Sequence, residues 1–186
     1  MSGKEKRRIN VPALFATCLY IGKIPVMPGT LGALLVYPVY LLILCMSNDV
    51  DVVVSALSYI IALIIVPSLW SISDYSNAIN QQDHRSIIID EFIGQSIALM
   101  FAIHYIAQME LFTCTHFYCQ SEHVAFFVSF VLFRYFDIAK PLGIRWLERK
   151  VQNSIGVIID DIVAALYSGA VMITFYWVYG FISTYI

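Results

Sequence analysis

The sequence predicts an all-α, polytopic membrane protein: a bundle of four to five transmembrane helices with an N-terminal interfacial or re-entrant segment. Of its 186 residues, 60% are hydrophobic and only 13% are charged, and the mean hydropathy is +0.76. Soluble domains carry about 25% charged residues. A chain this short cannot bury so much apolar surface in one aqueous core, so the lipid bilayer is its expected solvent.

Five apolar stretches are the candidate transmembrane helices, since a crossing takes about 20 mostly apolar residues. They cover residues 31–46, 52–70, 92–108, 123–138 and 157–179. The first is short, and Pro38 is expected to kink it. A further stretch before them, residues 11–21, is too short to span, so it either lies at the interface or re-enters the membrane. We expect residues 1–186 to form one membrane-embedded domain, with a basic tail at 1–10.

The connections between these stretches differ in their basic residues, and this difference predicts the topology. Segments 47–51 and 110–122 and the tail after residue 179 contain no Lys or Arg, so all 11 basic residues fall on the other side. A Lys/Arg excess marks the cytoplasmic side of a membrane protein. The N-terminus is therefore expected inside and, after five crossings, the C-terminus outside. The net charge of −2 does not indicate a nucleic-acid partner.

A turn before the first apolar stretch is a candidate phosphate-binding segment. Pro28-Gly29 predicts a turn, and Thr30 is a favourable N-cap for the following helix. A helix N-terminus presents free backbone N–H groups to an anion, and Lys23 would add positive charge. A plain turn and cap is the simpler explanation of this segment taken alone.

Two adjacent acidic pairs, Asp90-Glu91 and Asp160-Asp161, each follow an apolar run and open a predicted helix. Asp83 lies seven residues before the first pair. Carboxylates are the ligands that Mg²⁺ prefers, together with substrate phosphate. Acids at a helix start also complement the helix dipole. Two such pairs on one membrane face are harder to explain in that way, because charges within or at the ends of transmembrane helices are costly and usually functional.

Charged residues also lie at the end of the fourth apolar stretch. Arg134 and Asp137 are three residues apart and share one helix face. Lys140 follows after three more residues, but Pro141 disfavours helix there. A structural Arg134–Asp137 ion pair is the alternative to a functional role for these residues.

The four cysteines do not have the spacing of a zinc site. Cys114 and Cys119 share one predicted outer loop, where a disulfide is an open alternative in an oxidising compartment. Two unpaired thiols are the simpler expectation.

Four blocks, in this order, resemble the bacterial phosphatidylglycerophosphatase A family: residues 25–32, 89–94, 133–141 and 156–161. A tryptophan that the family commonly has soon after the Asp-Glu motif is missing, and Gln95 and Ser96 stand nearby. Members of this family dephosphorylate phosphatidylglycerophosphate to phosphatidylglycerol with Mg²⁺ at the bacterial inner membrane. The resemblance therefore implies a lipid substrate, a Mg²⁺ cofactor and a multi-pass protein with a cytoplasmic active site.

The resemblance also implies roles for individual residues. The implied metal ligands are Asp83, Asp90, Glu91, Asp137, Asp160 and Asp161, and all of these except Asp83 are also expected to be catalytic. The implied phosphate-binding residues are Lys23, Pro28, Gly29, Thr30, Arg134 and Lys140. Attack by a water molecule activated by the metal and formation of a covalent aspartyl-phosphate both remain open.

Three other functions compete with a phosphatase. A small transporter or ion-conducting subunit could use the same charges, but it predicts charges spread through the membrane depth, and here they cluster at one face. A headgroup transferase of the CDP-alcohol type needs an Asp-Gly start, which this sequence lacks. A structural scaffold leaves both acidic pairs unexplained.

Overall fold

A computed structural model describes residues 10–81, 84–107, 120–141, 151 and 153–185. The predictions made for Asp83, for Cys114 and Cys119, and for the basic tail through residue 9 concern residues outside these ranges. Within them the protein is helical and contains no strand. The helices are α1 (Val11–Ala16), α2 (Pro28–Leu34), α3 (Val36–Met46), α4 (Val50–Ile79), α5 (Ile89–Ala107), α6 (Gln120–Ala139) and α7 (Ser154–Tyr185), with one 3₁₀ turn at Ile21–Lys23.

The predicted membrane helix bundle is confirmed. Three helical stretches are long and apolar enough to cross a membrane: Pro28–Met46, Val50–Ile79 and Ser154–Ser183. Helices α5 and α6 have 19 and 20 residues. At 1.5 Å per residue, this length corresponds to roughly 30 Å, the thickness of the hydrocarbon core. Four to five crossings are therefore consistent with the helices of the structure.

The N-terminal segment doubles back on itself instead of continuing as a helix. After the six residues of α1, Cys18, Leu19 and Tyr20 all adopt positive φ angles of 42°, 60° and 66°. Side chains of L-residues disfavour this conformation, so surrounding contacts must hold it. Buried Ala13 and Ala16 pack in one core cluster with residues of α4 and α5, and the Ile88 N–H donates to the Ala16 carbonyl at 3.0 Å. The segment thus braces the loop that leads into α5.

The first transmembrane stretch begins three residues earlier than predicted. Helix α2 starts at Pro28, whose fixed φ suits the first helical position. Thr30 therefore lies inside the first turn, and the prediction that it caps the helix is wrong. The helix is interrupted at Leu35, between α2 and α3, which agrees with the disruption expected from Pro38. Pro38 has no N–H to donate to the carbonyl of Leu34, four residues earlier.

Helix α7 also begins earlier than the sequence pattern indicated. The Asn153 side chain accepts a hydrogen bond from the Gly156 N–H at 3.0 Å, as an N-cap residue does. The helix therefore starts at Ser154, and Asp160 and Asp161 lie about two turns inside it. The expectation that this pair opens the helix is wrong. The helix dipole acts mainly within the first turn, so it does not account for these two acids.

Helix α5 is the centre of the bundle and packs against α4, α6 and α7. A Cβ atom at Gly94 would lie 2.6 Å from the Phe133 ring on α6 and 2.9 Å from the Asp161 Cβ on α7. Fully buried alanines on α5 and α7 complete this contact. Small residues allow membrane helices to approach closely. Here they bring α5, α6 and α7 together beside the acidic residues.

The substitution Gly94→Ala is expected to destabilise the bundle, because its methyl group has no room between Phe133 and Asp161. Overpacking costs about 1–3 kcal/mol, and each kcal/mol lowers the unfolding midpoint by roughly 2–4 °C in a chain of this size. Thermal unfolding in detergent measures the change. The matched control is Gly180→Ala, where nothing lies within 4 Å of the added atom. Equal midpoints for the two variants would contradict the packing argument.

Candidate active site

Three carboxylates from two helices meet at one end of the bundle. Asp90 and Glu91 come from the first turn of α5, and Asp161 comes from α7. One oxygen atom from each of the three lies within 4.8 Å of the others. Asp90 and Asp161 are only 7% and 5% exposed. Negative charges this close and this poorly solvated repel one another, so a bound cation would stabilise the cluster.

The oxygen atoms of this cluster fit a hard divalent cation. Glu91 Oε2 and Asp161 Oδ2 are buried and accept no hydrogen bond from any residue that the structure describes. A buried carboxylate oxygen without a partner is energetically unfavourable. Oxygen ligands of this kind suit Mg²⁺, which is usually bound through one or two carboxylates plus substrate phosphates. Asp90, Glu91 and Asp161 are therefore the residues that could hold a metal ion.

Two neighbouring acids, Asp137 and Asp160, lie beside cations. Arg134 Nη1 donates to Asp137 Oδ2 at 2.6 Å, and Lys140 Nζ lies 3.6 Å from Asp160 Oδ2. Lys140 follows the end of α6 with a φ of 43°, a left-handed conformation in which helices commonly end. Asp137 and Asp160 thus lie in ion pairs beside the three-carboxylate cluster, and their roles as metal ligands stay predictions.

The first turn of α2 lies directly against this cluster. A Cβ atom at Gly29 would lie 3.2 Å from both Nη atoms of Arg134 and would collide with Glu91 Oε1. Pro28 and Thr30 flank Gly29 in the same turn. The predicted phosphate-binding turn and the first acidic pair are therefore brought together, and only glycine leaves room for both side chains.

Lys23 has a different environment from the other predicted phosphate-binding residues. It is exposed at the end of the 3₁₀ turn, and its ammonium group is 4.5 Å from the centroid of the Tyr20 ring. A cation over an aromatic face is a favourable surface contact. The structure thus gives Lys23 a local partner in Tyr20, and its phosphate-binding role stays a prediction.

The loop before Asp90 is held by contacts of Ser86, which the sequence pattern did not single out. The Ser86 hydroxyl contacts Tyr75 Oη at 3.0 Å and His84 Nδ1 at 2.7 Å. Gly22 packs against the Ser86 carbonyl so closely that a Cβ atom would collide with it. Gly22 and Ser86 are far apart in the chain, so sequence spacing gave no signal for this contact.

Cys18 is the thiol next to the site. Burial, and secondarily the charge of Asp90, raises the pKa of Cys18 to about 12. The thiol is therefore protonated at neutral pH and is a poor nucleophile and metal ligand. Cys18 contributes packing to this end of the bundle and no charge.

Comparison with known proteins gives a consistent family assignment. A family model described as phosphatidylglycerophosphatase A matches residues 14–176. The chain is similar to phosphatidylglycerophosphatase A of Escherichia coli K12, at 31% identity over 183 residues, which are 97% of this chain and 94% of the relative. The protein of the same name from Haemophilus influenzae Rd is 38% identical over 98 residues, 51% of this chain and 49% of the relative.

A third relative carries a different name. A Bacteroides thetaiotaomicron protein, provisionally named a phosphatidylinositol-3-phosphatase, is 27% identical over 177 residues, which are 94% of this chain and 99% of the relative. No solved structure matches the chain significantly.

Divalent cation binding should depend on Asp161. Because Asp161→Asn removes one of the three clustered charges, we expect Mn²⁺ affinity to fall roughly tenfold or more. Electron paramagnetic resonance of free Mn²⁺ in detergent measures this affinity. Asp74→Asn is the matched control, since Asp74 is an exposed acid near the end of α4. Equal Mn²⁺ affinities of the two variants would show that the cluster does not bind the ion.

Proposed function

The chain belongs to the phosphatidylglycerophosphatase A family, and we propose that it hydrolyses phosphatidylglycerophosphate to phosphatidylglycerol and inorganic phosphate with Mg²⁺. The observation that carries this proposal is the position of the three-carboxylate cluster against Gly29 and Arg134. A cation site and a fixed guanidinium side by side suit a phosphate monoester, whose charge both groups would neutralise.

The acidic residues divide into two roles in this proposal. Asp90, Glu91 and Asp161 hold Mg²⁺, and Asp137 and Asp160 hold the cations that face the phosphate. When bound, the metal supplies Lewis-acid polarisation of the phosphoryl group. The cluster is buried, so its charges act in a low dielectric, where they are stronger than in water.

The basic residues bind and orient the phosphate in this proposal. Asp137 fixes the Arg134 guanidinium through the 2.6 Å bond to Nη1, which leaves its Nη2 group for phosphate oxygens. Asp160 limits the movement of Lys140 in the same way, although at a longer 3.6 Å. Backbone N–H groups in the first turn of α2 add hydrogen bonds to the same oxygens.

The position of the site at one end of the helices suits a lipid substrate. The two acyl chains remain in the bilayer, and the phosphorylated headgroup reaches the cluster from the interface. We place this end, together with the N-terminus, on the cytoplasmic side of the bacterial inner membrane and the C-terminus outside. The support is the distribution of basic residues along the sequence.

Phosphate release from phosphatidylglycerophosphate by the purified protein in detergent tests the proposal. We expect release with Mg²⁺ and none with EDTA. Asp161→Asn should lower the rate by about 100-fold or more, since loss of an electrostatic group acting on the transition state costs that much. The exposed Asp74→Asn variant should keep the wild-type rate. A folded wild-type protein that releases no phosphate with Mg²⁺ would sink the proposed activity.

The substitution Gly29→Ala tests the contact between α2 and the cluster. Its methyl group would displace Glu91 Oε1 or the Arg134 guanidinium, and misplacement of reacting groups by about 1 Å can cost 100-fold in rate. We therefore expect a large loss of phosphate release with little change in the unfolding midpoint. Gly180→Ala should leave the rate unchanged. If Gly29→Ala is as active as Gly180→Ala, the first turn of α2 does not take part in the site.

A further inference from the structure

A polar pair lies between α5 and α6, one helical turn deeper in the bundle than Glu91. Gln95 and Ser129 are both fully buried. The Gln95 Nε2 donates to the Ser129 hydroxyl oxygen at 3.0 Å, and that hydroxyl donates its own proton to the Phe126 carbonyl at 2.8 Å. Because the Ser129 hydroxyl donates its proton to the Phe126 carbonyl, its oxygen can only accept a hydrogen bond from Gln95. The amide nitrogen of Gln95 must therefore face Ser129. The amide oxygen of Gln95 consequently points elsewhere.

Gln95 Oε1, Glu91 Oε2 and Arg134 Nε are among the buried polar atoms that have no hydrogen-bond partner in the part of the chain that the structure describes. Glu91 and Gln95 are four residues apart and share one face of α5. Helical side chains lean toward the N-terminus, so Gln95 leans over the turn that carries Glu91. The Arg134 guanidinium lies near the same place, since a Cβ atom at Gly29 would be within 3.2 Å of both Arg134 Nη atoms and of Glu91 Oε1.

Arg134 Nε donates and the two oxygens accept, yet no hydrogen bond joins these three atoms directly. Gln95 Oε1 and a Glu91 carboxylate oxygen both accept, so they cannot bond to each other. One water molecule can accept from the Arg134 Nε–H and donate to both oxygens, and about three hydrogen bonds are usual for a buried water. Within a bilayer, no other solvent is present to satisfy such groups.

We propose that Gln95 is a positioning residue, which Ser129 holds in place and which orients Glu91 and Arg134 through a buried water. Gln95 would thereby hold the Glu91 carboxylate and the Arg134 guanidinium in one fixed orientation. The inference rests on the proposed function for its kinetic readout but not for its binding readout. A purely structural pair would join α5 to α6 and leave cation binding unchanged.

The substitution Gln95→Met removes the amide and keeps the length of the side chain. We expect it to weaken Mn²⁺ binding, measured without substrate, by about tenfold, because groups that orient metal ligands typically contribute 10- to 100-fold to affinity. The Mg²⁺ concentration for half-maximal phosphate release should rise by a similar factor. Ser129→Ala should change both quantities in the same direction, and Ser129→Thr, which retains the hydroxyl, should restore them.

Ser168→Ala is the matched control. Ser168 is a fully buried serine on α7 whose hydroxyl donates to the Ala164 carbonyl at 2.9 Å. Unchanged Mn²⁺ affinity in Gln95→Met, or in Ser129→Ala if the first variant does not fold, would overturn the proposal. An equal shift in Ser168→Ala would overturn it too, since any buried serine would then have the same effect.

These experiments distinguish failure of the positioning role from failure of the proposed phosphatase activity. If Mn²⁺ binding weakens in Gln95→Met but the wild-type protein releases no phosphate, the positioning role stands and the proposed function falls. If the wild-type protein is an active phosphatase and both variants keep wild-type cation binding, only the positioning role falls.

Discussion

Mutual repulsion among three carboxylates, two of them buried and one half-buried, is the constraint on which this end of the bundle depends. Asp90, Glu91 and Asp161 are forced within 4.8 Å of one another because α5 and α7 approach closely at Gly94. Such an arrangement is unfavourable unless a cation lies among the oxygens. Helix packing therefore holds the three carboxylates together against their repulsion. A bound cation would in turn stabilise the folded protein.

Positive charge surrounds this cluster without neutralising it. Arg134 and Lys140 each have an acidic partner of their own, Asp137 and Asp160. These pairs keep the cations in place at the edge of the cluster, where the proposed phosphate would meet them. A guanidinium already held by a carboxylate loses less conformational freedom when it binds a ligand. The ion pairs thus suit a site that binds and releases an anionic group repeatedly.

The short N-terminal segment stabilises the loop that leads into α5. Three consecutive residues in the left-handed region fold it back onto the bundle, where Ala16 and Gly22 contact the loop at Ser86 and Ile88. This loop leads into α5 and so positions Asp90 in the cluster. Backbone conformations of this kind persist only when neighbouring contacts enforce them, and here those contacts also set the start of α5.

The sequence alone predicted the membrane bundle and singled out the acidic and basic residues of the candidate site, because apolar length and the cost of intramembrane charge are local properties of the chain. It misplaced the starts of α2 and α7, since Pro28 and Asn153 extend these helices beyond the apolar runs. Only the tertiary structure decided which acids form the cluster, which form ion pairs, and that Gln95 lies beneath Glu91. Those outcomes depend on how closely α2, α5, α6 and α7 approach, and contacts between distant helices leave no periodic pattern in a single sequence.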